Sequence, residues 1–179
     1  MQYSLDFMHV SLDALKAAWA AGFFDGEGCI NIAKPINKRP HATYITYALQ
    51  AIVAQRDRRP LDELVHLFGG KVTTVKIHGS TYWYLRRHGR KAVEMLEQIL
   101  PFLVLKKEQA ELALKFQKYY DDTRPRRKDI GRSPDQMATL EMFYQQSKMI
   151  NQRFKEKDWT DQSVANEIAQ AGKENRTIN

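Results

Sequence analysis

The sequence predicts an α+β domain: a four-stranded antiparallel sheet made of two hairpins, with helices on one of its faces. Three observations carry this. Apolar spacing is helical from Ser11 to Phe24 and becomes alternating after Gly28. A second alternating stretch folds back on itself around Gly79-Ser80. Helical segments bounded by Pro60, Gly69-Gly70 and Pro101 lie between and after the two hairpins.

The first helix presents Leu12, Leu15, Trp19 and Phe23 at helical spacing, which gives it one bulky face. Beside it runs a stripe of small residues, Ala14, Ala18, Ala21 and Gly22, where another helix could approach closely. Gly26 and Gly28 flank Glu27 and end the helix. Ile30 and Ile32 then alternate with Asn31 and Ala33, and Pro35 to Pro40 reads as a polar, basic turn. A single strand is expected from Thr43 to Gln55, with Ile45, Tyr47, Leu49, Ala51 and Val53 on one side. Pro60 opens a short helix ending at Gly69-Gly70.

The hairpin from Lys71 to Arg87 places Trp83 and Leu85 inward and Tyr82, Tyr84 and Arg86 outward. Helices follow from Arg90 to Leu100 and from Lys106 to Tyr120. Residues 1–120 thus form the core domain, and 121–132 a basic linker. Residues 133–179 form a helical extension. Ser133-Pro134-Asp135-Gln136 is a helix start with a capping serine, and that helix should pack on the main domain. A last short helix is expected over Thr160 to Ala171.

Composition narrows the function. The net charge is +7, and one cysteine, Cys29, excludes an internal disulfide and any multi-cysteine zinc site. No apolar run reaches the length of a membrane span and the first ten residues lack a signal-peptide pattern, so a soluble protein of a reducing, intracellular compartment is expected. The charge is concentrated: residues 55–131 carry 17 basic and 10 acidic groups, whereas the two flanking segments are neutral. The dense runs Arg56/Arg58/Arg59, Arg86/Arg87/Arg90/Lys91 and Arg124/Arg126/Arg127/Lys128, interleaved with tyrosines, point to a polyanion, nucleic acid first. The histidines lack metal-ligand spacing, and no phosphate-cradling glycine loop is present.

Ala20-Ala21-Gly22-Phe23-Phe24-Asp25-Gly26-Glu27-Gly28 resembles the motif of the LAGLIDADG homing endonucleases, at the helix-to-strand junction where that family carries it. The element order matches as well, which implies the family's αββαββα fold with a saddle-shaped sheet and, here, extra C-terminal helices. Glu27 stands in place of the motif's final Asp, a departure that retains the charge. The resemblance extends to Gln55, followed by Arg58-Arg59, and to the Pro101–Lys107 loop. It implies Glu27, Gln55, Lys106 and Arg59 as catalytic residues, and Glu27 with the Gly28 carbonyl as donors to Mg²⁺. Such a cation accepts few protein oxygens and keeps waters and phosphate oxygens as its other ligands. Asp25 is implied to cap a neighbouring helix. With a single motif, the resemblance implies a homodimer paired through Ala14, Ala18, Ala21 and Gly22. Its substrate would be a long, pseudo-palindromic double-stranded DNA site. Outward residues expected to meet bases in the major groove are Asn31, Ala33, Lys34, Tyr44, Thr46, Gln50, Thr74, Lys76, Tyr82, Tyr84 and Arg86. An RNA-binding maturase and a cleavage-inactive DNA-binding protein are the alternatives on the same scaffold.

Overall fold

The computed structural model describes residues 11–39, 42–77, 79–125 and 131–156. The expected helix at Thr160 to Ala171 and most of the last basic run lie outside them. Helix α1 (Leu12–Glu27) begins at Ser11, whose hydroxyl accepts the Ala14 amide at 3.1 Å. It runs directly into strand β1 (Gly28–Ala33). A small ribbon follows, β2 (Ile36–Arg39) against β3 (Ala42–Ile45), and then β4 (Ala48–Gln55). Helix α2 (Arg59–Phe68) leads into the second hairpin, β5 (Val72–Ile77) and β6 (Ser80–His88). Helix α3 (Arg90–Ile99), a 3₁₀ turn (Leu100–Phe102), α4 (Lys107–Asp122) and α5 (Pro134–Glu156) complete the described chain.

The main sheet is antiparallel, in the order β1-β4-β6-β5. Its inner face, Ile30, Ile32, Leu49, Ala51, Val53 and Leu85, is buried with Phe24, Leu61, Leu64, Met95, Leu96, Ile99 and Phe116 of the helices. Leu140 of α5 belongs to this same core and is fully buried, and Phe143 meets Phe116 edge-on at 5.9 Å. The capping serine of α5 is reciprocated: Gln136 N–H donates to Ser133 Oγ and Ser133 N–H to Gln136 Oε1. The extension therefore shares the core of the domain that precedes it.

Two expectations about chain direction are corrected. The segment after Pro35 is strand β2 rather than a turn, paired with β3 from Ile36↔Ile45 to Arg39↔Ala42. The long strand breaks at Thr46-Tyr47, where Thr46 N–H donates to the Pro35 carbonyl at 3.1 Å and the Asn37 side-chain amide to Thr46 Oγ1 at 2.9 Å. Across that break alternation is lost: Tyr47 is 5% exposed, whereas Ile45, two residues earlier, is 40% exposed. The bulky face of α1 is divided, with Phe23 packed against the core and Leu15 and Trp19 turned out. Ala20, Ala21 and Phe24 are buried against the sheet, while Leu15 and Trp19 are exposed at 55% and 43%. Ala20 and Ala21 let the helix axis lie close to the sheet and Phe24 enters the core, while Leu15 and Trp19 point away.

Candidate active site and nucleic-acid interface

The last turn of α1 is tied to the loop before α4. The Asp25 carboxylate accepts the backbone amides of Val104 (2.7 Å), Leu105 (3.2 Å) and Lys106 (2.9 Å), just ahead of α4. In return Lys106 Nζ donates to the Asp25 carbonyl, one of the carbonyls left unpaired at a helix C-terminus. Asp25 is 9% exposed, and where a helix cap was expected its carboxylate instead holds the loop ahead of α4 through backbone amides.

Glu27 is exposed in the same turn. Gly28 has extended backbone that any residue could adopt; closeness is what demands glycine there. A Cβ would stand 2.5 Å from the Phe24 carbonyl oxygen and 2.6 Å from the Phe24 ring. Burial pushes the Lys106 amine below the ordinary lysine range, opposed by the charges of Asp25, Cys29 and Glu27. A half-buried cation at the negative end of a helix, beside an exposed carboxylate, is thus built into the motif.

Gln55 ends β4, two residues beyond Val53, the partner of Gly28. Its Oε1 accepts the Arg56 amide at 2.7 Å. Arg59 is placed apart from this cluster. Its side chain is 90% exposed and paired with Asp57, which it holds down to about 2. Arg58 pairs with Asp62 at 3.0 Å and lies 5.2 Å over the Trp83 ring. Beside Lys106 a cleft of about 360 Å³ is lined by Cys29, Asn31, Leu105, Gln109 and Asn151. Among the described residues, no three His, Cys, Asp or Glu side chains are grouped to hold a metal unaided.

The outer face of the sheet is defined by register. Asn31 opposes Gln50, which opposes His88; Cys29 opposes Ile52, which opposes Arg86; Ala54 opposes Tyr84, which opposes Thr73. Ala33 opposes Ala48 on the same face. Tyr82 pairs with Val75, and Arg56 stacks 5.3 Å over its ring while donating to its hydroxyl. Arg86 lies 4.3 Å over Tyr84 and donates to Thr73 Oγ1 at 3.1 Å. Stacked, bonded guanidiniums on a sheet surface are suited to nucleic-acid contact.

Three expected contacts are corrected. Thr74 and Lys76 share the face of Val72, Trp83 and Leu85, so Thr73 and Val75 take the outward places. A two-position connection dictates this, since even residues of β6 then pair with odd residues of β5; that parity was readable in the sequence. Lys34 is not displayed either: its amine pairs with Glu141 of α5 at 2.7 Å. Tyr44 is exposed on the ribbon opposite Asn37, and the Thr46 hydroxyl accepts from Asn37. Arg56, Thr73 and Ile52 were missed.

Within the expected small stripe, Ala21 is corrected. Ala21 has no exposed surface and Ala14 and Ala18 are half-buried. Gly22 lies open, with nothing within 4 Å of where a Cβ would stand. The outward face of α1 is instead Leu15, Trp19, Gly22 and Gly26, with Trp19 stacked on Phe23 at 5.8 Å. Among the described residues no helix is long and apolar enough to cross a membrane.

A carboxylate and a lysine lie at the start of β1, and the sheet carries stacked guanidiniums on its outer face, an arrangement suited to a protein that acts on nucleic acid. Residues 20–121 match the family described as LAGLIDADG endonuclease, and the chain belongs to that family. Its function is site-specific DNA cleavage. It is 31% identical over 113 residues to DNA endonuclease I-CvuI of Chlorella vulgaris, covering 63% of this chain and 70% of that protein. The crystal structure of I-CvuI with DNA in the presence of Mg superposes with a TM-score of 0.60 at 27% identity, over 77% of this chain and 83% of that one; its DNA is described as not cleaved. The archaeal intron-encoded endonuclease I-Vdi141I shares the fold, with a TM-score of 0.59 at 12% identity over 76% of this chain and 84% of its own.

Proposed function

We propose that this chain is the subunit of a homodimeric homing endonuclease that cuts both strands of a long, pseudo-palindromic double-stranded DNA site with the help of a divalent cation, Mg²⁺ first. The observation that carries the reading is the joining of Lys106 to the motif turn through Asp25, beside the exposed Glu27. It supports a reading in which Lys106 serves the phosphate and Glu27 the metal.

The donor set fits such an ion. Each chain offers one carboxylate, Glu27, with the Gly28 carbonyl, and a hard cation completes its shell with water and phosphate oxygens. When bound, the ion supplies Lewis-acid activation of water and charge neutralisation at the phosphate. Lys106 holds positive charge against the phosphate oxygens, and Gln55 orients the attacking water at the strand end. In the reaction water adds to phosphorus and the bond to the 3′ oxygen breaks. Arg59 supports phosphate binding at a distance, once released from Asp57. One motif per chain serves one strand, so two chains are required for a double-strand cut. Two-fold symmetry then matches a pseudo-palindromic site. Leu15, Trp19, Gly22 and Gly26 are the surface that would be covered. An exposed Cys29 suits a reducing, intracellular compartment.

The test is cleavage selection from a randomised double-stranded DNA library with Mg²⁺, Mn²⁺, Ca²⁺ or chelator. Recovery of one two-fold-related site, cut with Mg²⁺ or Mn²⁺ and intact with chelator, supports the reading. Equal cutting in chelator overturns the metal role, and binding without cutting in every cation overturns the nuclease.

A further inference from the structure

We propose that α5 is a splint along the outer edge of β1, with Asn151 positioning the strand that leaves the catalytic turn and Glu141 positioning the root of the β2–β3 ribbon. Strand β1 is an edge strand, with one side of its backbone outside the sheet ladder. On that side the Asn151 side-chain amide donates to the Ile30 carbonyl at 3.1 Å, two residues after Gly28. Asn151 is itself held, because Gln109 of α4, 9% exposed, donates to its Oδ1 at 3.2 Å. All three residues line the cleft that holds Lys106.

At the other end, Lys34 leaves β1 and pairs with Glu141 at 2.7 Å. The Tyr47 hydroxyl donates to the same carboxylate. The Lys34 amine also lies 5.4 Å over the Tyr144 ring. Lys34 and Tyr47 flank the ribbon on its two sides, so one acid of α5 grips both of its entry points.

The dimensions agree. Ten helical residues from Glu141 to Asn151 span about 15 Å at ~1.5 Å each. Four strand residues from Ile30 to Lys34 span about 13 Å at ~3.3 Å each. The helix runs antiparallel to the strand and contacts it at both ends, one beside the cutting site and one beside the reading ribbon. An exposed ion pair alone would contribute little. Here it is joined by a hydroxyl and an aromatic face, and both side chains are about 30% exposed.

The assignment of the two ends to cleavage and recognition rests on the nuclease reading above. The experiment compares the full chain with Asn151→Ala and Glu141→Ala. It measures the single-turnover rate on bound DNA, Kd, the bases tolerated at each position, and backbone hydrogen exchange. Asn151→Ala should slow cutting of bound DNA by about tenfold or more, with Kd little changed, because small misplacements at the chemistry are costly. Glu141→Ala should broaden base tolerance at the outer positions of each half-site more than it slows cutting. Exchange should rise locally, in residues 28–33 for the first variant and 36–45 for the second. Uniform exchange increases, or equal losses of rate and Kd in both variants, overturn the splint. A wild-type chain that cuts no DNA overturns the nuclease reading, and the exchange pattern still decides whether α5 braces β1.

Discussion

Asp25 and Lys106 are joined in both directions: the Asp25 carboxylate accepts the Lys106 backbone amide at 2.9 Å, and the Lys106 amine donates to the Asp25 backbone carbonyl. The last turn of the motif helix and the start of α4 are therefore one mechanical unit. Removing the carboxylate leaves three amides without their acceptor. Asp25→Ala should cost about 3 kcal/mol in urea unfolding, the upper range for a hydrogen-bonded charged group, and abolish cutting. A loss below ~1 kcal/mol would show that the loop holds itself.

Glu27→Gln retains shape and removes the charge a metal needs. Cleavage should vanish while DNA binding persists in a gel-shift or anisotropy assay. A variant that still cuts at a comparable rate with Mg²⁺ removes Glu27 from the metal site.

Two glycines of the motif, Gly22 and Gly28, should respond differently. Gly28→Ala meets the Phe24 carbonyl and ring, and overpacking of that kind costs about 1–3 kcal/mol in chemical denaturation. Gly22→Leu meets nothing within its own chain, so the fold should survive it. Light scattering should instead show a shift from dimer to monomer, with activity lost. A native protein that stays monomeric on its DNA would refute the dimer.

Acid stability should depend on Glu141. Lys34 and then Tyr47 hold its carboxyl near 2, below its ordinary value of 4.5. A depressed acid stabilises the fold fully above its unfolded value and loses that contribution as pH falls through its folded one. Urea midpoints should therefore fall between about pH 5 and about pH 2.5 less steeply in Glu141→Gln than in the native chain. Parallel curves would show that the pair contributes nothing.

The register of the second hairpin predicts which threonine reads DNA. Thr73 lies outward beside Arg86 and Tyr84, and Thr74 lies across from Trp83 on the inner side. Thr73→Ala should change base tolerance in the selection assay, and Thr74→Ala should not. The reverse result would place the other face on the DNA.

Fold class and the order of the helices and main-sheet strands were legible because they follow from local spacing and punctuation. Helical period before Gly28, alternation after it, Pro60 at a helix start and the Ser133–Gln136 cap each act over a few residues. The motif was legible for the same reason, being a contiguous string whose close packing at Gly28 is set by Phe24 only four residues away.

What only the tertiary structure decided concerns which side of an element faces what. By spacing Leu15, Trp19 and Phe23 form one bulky face, yet the sheet accepts Ala20, Ala21 and Phe24 and turns Leu15 and Trp19 outward. Lys34 looks like a DNA contact, yet Glu141, 107 positions later, claims it. The stretch from Thr43 to Gln55 alternates as one strand, but Tyr47 turns inward to reach that same acid while Ile45 stays with the ribbon. Spacing along a chain determines periodicity, whereas facing and partnership depend on distant segments arriving at one place, as α5 does along the edge of β1.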